Sequence, residues 1–171
     1  DIAEDRAKFS SLLDALGIDQ PEWGRAISIE DSLRIARAIG YPVIVRPSYV
    51  LSGTSMAIAY NDEELISYLK RAAIISREHS VTISKFIEKG IEAEIDAVAD
   101  GRGHVVGVSI EHIEEAGVHS GDAMMVIPPR RLSQTVIRRM REIAVMLANE
   151  LSIKGPYNIQ FIVKNGKVYV I

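Results

Sequence analysis

The chain has 171 residues, 47% of them hydrophobic and 25% charged, with no cysteine and a formal net charge of −3. That length suits one large domain or two small ones. The missing thiols exclude disulfides, zinc thiolates and a cysteine nucleophile, and a faintly acidic chain without a basic run has no electrostatic attraction to nucleic acid or an anionic membrane. No apolar run approaches the ~20 residues that span a bilayer, and residues 1–10 do not read as a signal peptide. A cytoplasmic protein is the expectation, with the mitochondrial matrix as the alternative.

Phe9, Leu12, Leu13 and Leu16 recur at helical spacing, and Gly17 closes that helix. Ser28 opens a capping-box pattern in which Asp31 stands where Glu or Gln is usual, and the helix after it sets Leu33, Ala36 and Ile39 on one face before Gly40. Residues 42–45 read as a short buried strand running into Arg46-Pro47. Asn61 caps a further helix, with Glu64 at the box position and Leu65, Leu69 and Ala72 facing inward. From Val81 the period shifts towards two. Residues 92–99 and 104–110 form an antiparallel pair about the turn-rich loop 100–103, and residues 123–127 form a strand ending at Pro128-Pro129. A helix over 132–151 buries Val136, Met140, Ile143, Leu147 and Leu151. A last hairpin joins 158–163 to 167–171 around Lys164-Asn165-Gly166. Helices interleaved with strands, followed by hairpins, predict an α+β fold, and no dinucleotide or Walker phosphate motif is present.

Four segments concentrate chemistry. Residues 46–55 read as a strand end opening into a small-residue loop; its backbone N–H groups and the Arg46 fork suit phosphate oxygens, and a solvated surface turn is the plainer alternative. Residues 84–92 resemble a nucleotide hinge in which the backbone at Phe86 and Ile87 meets a base edge, Lys85 reaches a phosphate and Glu92 holds ribose; an exposed strand end with scattered charges explains the same letters. Residues 111–122 gather two His, three Glu and one Asp in twelve positions. The His112–His119 spacing fits no standard zinc pattern, so a loop folding over phosphates through Gly117 and Gly121 is the better reading. Gln160 lies on the polar side of a strand whose Ile159, Phe161 and Val163 face a core. Its amide oxygen is a hard donor suited to magnesium, or else it merely faces solvent.

In this order the segments resemble carbamoyl-phosphate synthase over essentially the whole chain. The motifs are Lys8-Phe9-Ser10, the run from Gly17 to Trp23, the run from Gly40 through Arg46-Pro47-Ser48-Tyr49 to Leu51, Glu111-His112-Ile113-Glu114, Gly117-Val118-His119-Ser120-Gly121-Asp122, and Asn158-Ile159-Gln160. Arg46-Pro-Ser-Tyr and Gly117-Val-His-Ser resemble the second synthetase half of the large subunit rather than the first. The resemblance implies an ATP-grasp fold, with a small lid over 22–86 and a larger subdomain over 87–171. It implies phosphorylation of carbamate by ATP, within pyrimidine, arginine or urea synthesis. The implied ATP contacts are Arg46 (also the catalytic cation), Lys85, Ile87, Glu92, Gly117, Val118, His119, Ser120 and Gln160, the last also ligating Mg2+ or Mn2+, with K+ as a further cation. The implied partners are the rest of the large subunit and a glutaminase subunit or domain. Leu51-Ser-Gly-Thr54 departs from the bacterial Leu-Gly-Gly-Arg, and Lys85 stands where bacterial members often carry His. The family's Glu-x-Asn-x-Arg motif is expected just after Ile171, so an isolated piece of this length is expected to lack full activity. A biotin-carboxylase-like ligase and a non-catalytic nucleotide-binding module are the competing readings.

Overall fold

The computed structural model describes residues 5–47, 56–71, 80–115 and 124–171. The backbone divides into two compact units, residues 5–17 with 21–86 and residues 18–20 with 87–171.

In the first unit, α1 (Arg6–Ala15) is capped by Asp5, whose carboxylate accepts from the N–H groups of Ala7 and Lys8 at 3.0 and 3.2 Å. Gly17 leaves the helix at φ +64°, in the left-handed region open to glycine. Next come β1 (Trp23–Ala26), α2 (Ile29–Ile39), β2 (Val43–Pro47), β3 (Ala57–Ala59), α3 (Asp62–Arg71) and β4 (Val81–Lys85). Ser28 Oγ accepts from Asp31 N at 3.0 Å, and Asn61 Oδ1 from Glu64 N at 2.9 Å while Glu64 reaches back to Tyr60 N, so both capping expectations hold. The strands make one antiparallel sheet ordered β1-β4-β2-β3. Its core comprises Ala36, Val43, Val45, Leu65, Leu69, Val81 and Ile83, with Leu33 and Ile39 packed against it. Tyr41 Oη donates to Asp62 at 2.8 Å and Arg37 pairs with the same carboxylate, joining α2 to α3. Ala72, expected on the inner face of α3, lies outside the described residues, as do residues 48–55 of the loop after Arg46.

The second unit is a five-stranded antiparallel sheet ordered β7-β6-β5-β8-β9, made of β5 (Ile91–Asp100), β6 (Val105–Glu115), β7 (Met125–Val126), β8 (Lys154–Lys164) and β9 (Lys167–Val170). The helix α4 (Gln134–Glu150), capped by Ser133, buries Val136, Met140, Ile143 and Leu147. It packs on the face that carries Ala93, Ile95, Ala97, Ala99, Ile159 and Phe161. Residue Asp19 adds to the free edge of β9: its carbonyl accepts from Val170 N at 3.0 Å and its carboxylate pairs with Lys167 at 2.9 Å. Among the described residues no helix is long and apolar enough to cross a membrane.

One close approach fixes the start of β5. A Cβ built on Gly90 would lie 2.3 Å from Cγ2 of Ile162, itself buried against Ile87. Because Cγ2 is the near branch of a stiff side chain, it cannot swing away. Gly90→Ala should therefore cost about 1–3 kcal/mol, as overpacking does, and lower the thermal midpoint in a calorimetric scan. An unchanged midpoint would show that Ile162 repacks freely.

Candidate functional site

Arg46 is the fourth residue of β2 and lies opposite Thr82 of β4. Its Nε is buried and has no hydrogen-bond partner. Burial holds its pKa below the usual guanidinium value. Arg6, in the first turn of α1, is pushed down to about 10, first by burial and then by the charge of Arg46. Among the described residues neither guanidinium forms an ion pair with a carboxylate. Two neighbouring, partly buried cations with no paired acid among the described residues form an arrangement that an anion would stabilise. Periodicity gives Arg6 no signal, since it lies at a helix start rather than on a patterned face, and sequence reading missed it.

Lys85 ends β4. Its Nζ donates to the carbonyls of Gly40 and Tyr41, at 2.8 and 2.7 Å, where the negative end of α2 lies. The backbone is fixed as well: Lys85 N donates to Glu22 O at 2.7 Å and Phe86 N to Pro42 O at 3.1 Å. Two of the three ammonium protons are thus committed to the protein.

In the second unit, Ile87 is buried with Ile162, against which Tyr169 and Ile171 also pack. Glu92 is half-buried on β5 opposite Ile162, and Gln160 is exposed on β8 opposite Glu94. Because side chains alternate along a strand, Glu92, Glu94 and Asp96 share one face with Gln160 and Asn158, turned away from α4. Asn158 Nδ2 donates to Asp96 at 2.7 Å. Glu94 is only 6% exposed, and its carboxylate stands 3.7 Å from Nε2 of His112, which is buried without a hydrogen bond. Glu94 was overlooked in the sequence, although its place two residues after Glu92 put it on the same face.

The polar run beginning at Glu111 separates into two purposes. While His112 turns to Glu94, Glu111 is 2% exposed and accepts from the N–H groups of Arg130 and Arg131 at 2.8 Å each and from Arg131 Nε at 2.5 Å. Burial raises the Glu111 pKa, but the hydrogen bonds of Arg131 and Arg130 outweigh it and hold the carboxyl below its ordinary value. Arg131 also donates to the carbonyls of His112 and Ile113, so Glu111 is a structural anchor. Gly117, Val118, His119 and Ser120 lie outside the described residues.

Gln160, Glu92 and Glu94 supply oxygen donors of the hard kind that magnesium takes, with no thiolate in the chain. No group of three or more His, Asp or Glu among the described residues could hold a metal alone. A magnesium ion here would therefore take further oxygens from its ligand, as magnesium does with nucleotide phosphates.

Residues 5–171 match the family model described as "Carbamoyl-phosphate synthase L chain, ATP binding domain". The chain is 58% identical over all of its 171 residues to the carbamoyl phosphate synthase large chains of Sulfolobus acidocaldarius and Saccharolobus solfataricus, of which it spans 16% of the length. Three solved structures share the fold at low identity. They are an ADP complex of N5-carboxyaminoimidazole ribonucleotide synthetase (13% identity, TM-score 0.80, covering 98% of this chain and 43% of that one), a nucleotide complex of biotin carboxylase from Campylobacter jejuni (19%, 0.82, 98% and 39%), and the ATP complex of D-alanine–D-alanine ligase from Bacillus anthracis (22%, 0.75, 99% and 52%). By its sequence over nearly its whole length, and by two antiparallel sheets with four helices among the described residues, the chain belongs to the ATP-binding domain family of the carbamoyl-phosphate synthase large chain, with an ATP-grasp fold.

Proposed function

We propose that the chain is the ATP-using domain of the second half of a synthase large chain and phosphorylates carbamate. The observation that supports this is the pair of neighbouring guanidinium groups, Arg6 and Arg46, neither of them ion-paired among the described residues, in a chain whose Arg46-Pro-Ser-Tyr49 and Gly117-Val-His-Ser120 strings resemble those of the second half. In the reaction a carbamate oxygen attacks the γ-phosphorus of ATP, the bond to the β,γ-bridging oxygen breaks, and carbamoyl phosphate and ADP result. No protein nucleophile is needed, so the residues work by positioning and charge neutralisation.

Arg46 and Arg6 balance phosphate charge. Residues 22–86 act as the lid and 87–171 as the larger subdomain. The backbone around Ile87 meets the adenine edge and Glu92 holds ribose hydroxyls. Gly117, Val118, His119 and Ser120 are the further phosphate contacts that the family resemblance implies. Lys85 keeps its hinge strand fixed through Gly40 and Tyr41 and has one proton left for a phosphate oxygen. Gln160, with Glu94 opposite it, would hold magnesium (or manganese), which when bound neutralises the transferring phosphates. Carbamate would come from the remaining parts of the synthase chain, supplied with ammonia by a glutaminase partner.

Isothermal titration of the chain with ATP should show one site in the presence of Mg2+ and at least tenfold weaker binding with EDTA. Absence of binding under both conditions would overturn the nucleotide reading. Binding indifferent to magnesium would remove Gln160 from its role.

A further inference from the structure

The face that carries Glu92, Glu94 and Gln160 does not end with them. Further along the same strands it becomes aliphatic. Val98, Val106 and Val108 are 56%, 79% and 46% exposed. Register makes them contiguous: Val98 lies opposite Val106 on one side and Pro156 on the other, and Val108 lies opposite Asp96. Between them runs an open groove of about 570 Å³ that ends at the linked pair Asp96 and Asn158.

This placement inverts the usual pattern of a half-solvated sheet. The covered face of β5 here carries the small residues Ala97 and Ala99, while the larger branched side chains point outward. At Gly107 the two strands approach closely, because a Cβ there would lie 2.8 Å from that of Ala97 on the paired strand. Strands with apolar residues on both faces are strands covered on both faces. Single exposed valines are ordinary, but a joined patch beside a polar rim marks a contact surface.

We infer that this strip is a docking surface for another part of the same polypeptide, within a longer synthase chain. The curated relatives are 58% identical across this whole chain yet have it as only 16% of their length, so most of such a polypeptide is available to cover the strip at high local concentration. A second copy fits less well. Asp96 and Asp100 bracket Val98 on the same strand face, and a two-fold contact through Val98 would set acid against acid. The complementary segment presents an aliphatic ridge to the valines and a basic group or N–H donors to Asp96. Seated there, it continues the wall of the face that holds Glu94 and Gln160.

The test uses Val106→Cys, a mutation at an open position in a chain that has no cysteine. Maleimide labelling is followed by mass spectrometry on the peptide containing residue 106, in this chain and in a longer synthase chain that includes it. The expected result is labelling at least tenfold slower in the longer chain. Equal rates overturn the inference. Protection that rises with concentration in the short chain, alongside a doubled mass in sedimentation, would assign the strip to a second copy and also overturn it. As a second arm, Val106→Glu should lower the unfolding midpoint of the longer chain and leave that of the short chain unchanged. A midpoint unchanged in both would count against the inference. None of these readouts involves nucleotide, so they succeed or fail independently of the proposed activity.

Discussion

Replacing Glu111 with Gln should destabilise the second unit by about 2–4 kcal/mol. The carboxylate is 2% exposed and takes hydrogen bonds from two backbone N–H groups and from the Arg131 side chain. An amide of the same shape keeps one acceptor and turns donors towards Arg131. Breaking a fully buried pair costs more, but Arg131 is 42% exposed and water takes up part of its charge. For a chain of this size, ~3 kcal/mol corresponds to a drop of roughly 6–12 °C in thermal midpoint. The pH dependence provides a sharper check. The folded-state pKa of Glu111 lies below its ordinary value of 4.5. Its contribution is therefore complete above that value and disappears as the pH falls through the folded pKa. Urea melts at pH 7, 5 and 3 should show wild type and Glu111→Gln far apart at the first two and converging at the third. A gap independent of pH would mean that shape, not charge, carries the effect.

Replacing Arg46 with Ala should weaken MgATP binding about 30–150-fold, equivalent to about 2–3 kcal/mol, without loss of stability. Removing one of two neighbouring cations relieves Arg6, whose pKa is already pushed to about 10 by burial and by Arg46. The buried, unpartnered Nε disappears at the same time. Loss of binding with an equal or higher melting temperature marks a residue kept for its ligand. Titration calorimetry and a thermal melt on the same protein decide the matter. A variant that melts earlier and still binds ATP would make Arg46 structural.

Three of the helices were legible in the sequence because side-chain chemistry bounds them, Ser28 and Asn61 at their starts and Gly17 and Gly40 just past their ends, and α4 was legible from its apolar spacing. The hairpin of β5 and β6 was equally plain, since its turn residues sit between two alternating runs. The short strands β1 and β3 were not, because four and three residues are too few to show a period. The strand β8 was read four residues short, because Lys154, Gly155 and Pro156 look like a turn and pair only through the ladder with β5. Of the candidate site, the face of Gln160 followed from alternation, while Glu92 was singled out only as part of the hinge-like run 84–92. The proximity of Arg6 to Arg46 and the meeting of His112 with Glu94 are tertiary facts, and no local window contains both partners. The tether of Lys85 to Gly40 and Tyr41 was hidden for the same reason.

The backbone bond from Val170 to Asp19 has a consequence for the order in which this protein assembles. An exposed edge strand offers unpaired N–H and C=O groups to any other strand, and here the edge of β9 is occupied by a residue from near the opposite end of the chain. Asp19 and Val170 are far apart in sequence, so the segment at Asp19 meets this edge only after the residues between them have been synthesised. Such a non-local pairing forms late and slowly, because a long loop must close before it forms. In return, Asp19 occupies part of that edge, so the arrangement guards against strand-to-strand aggregation once the pairing has formed.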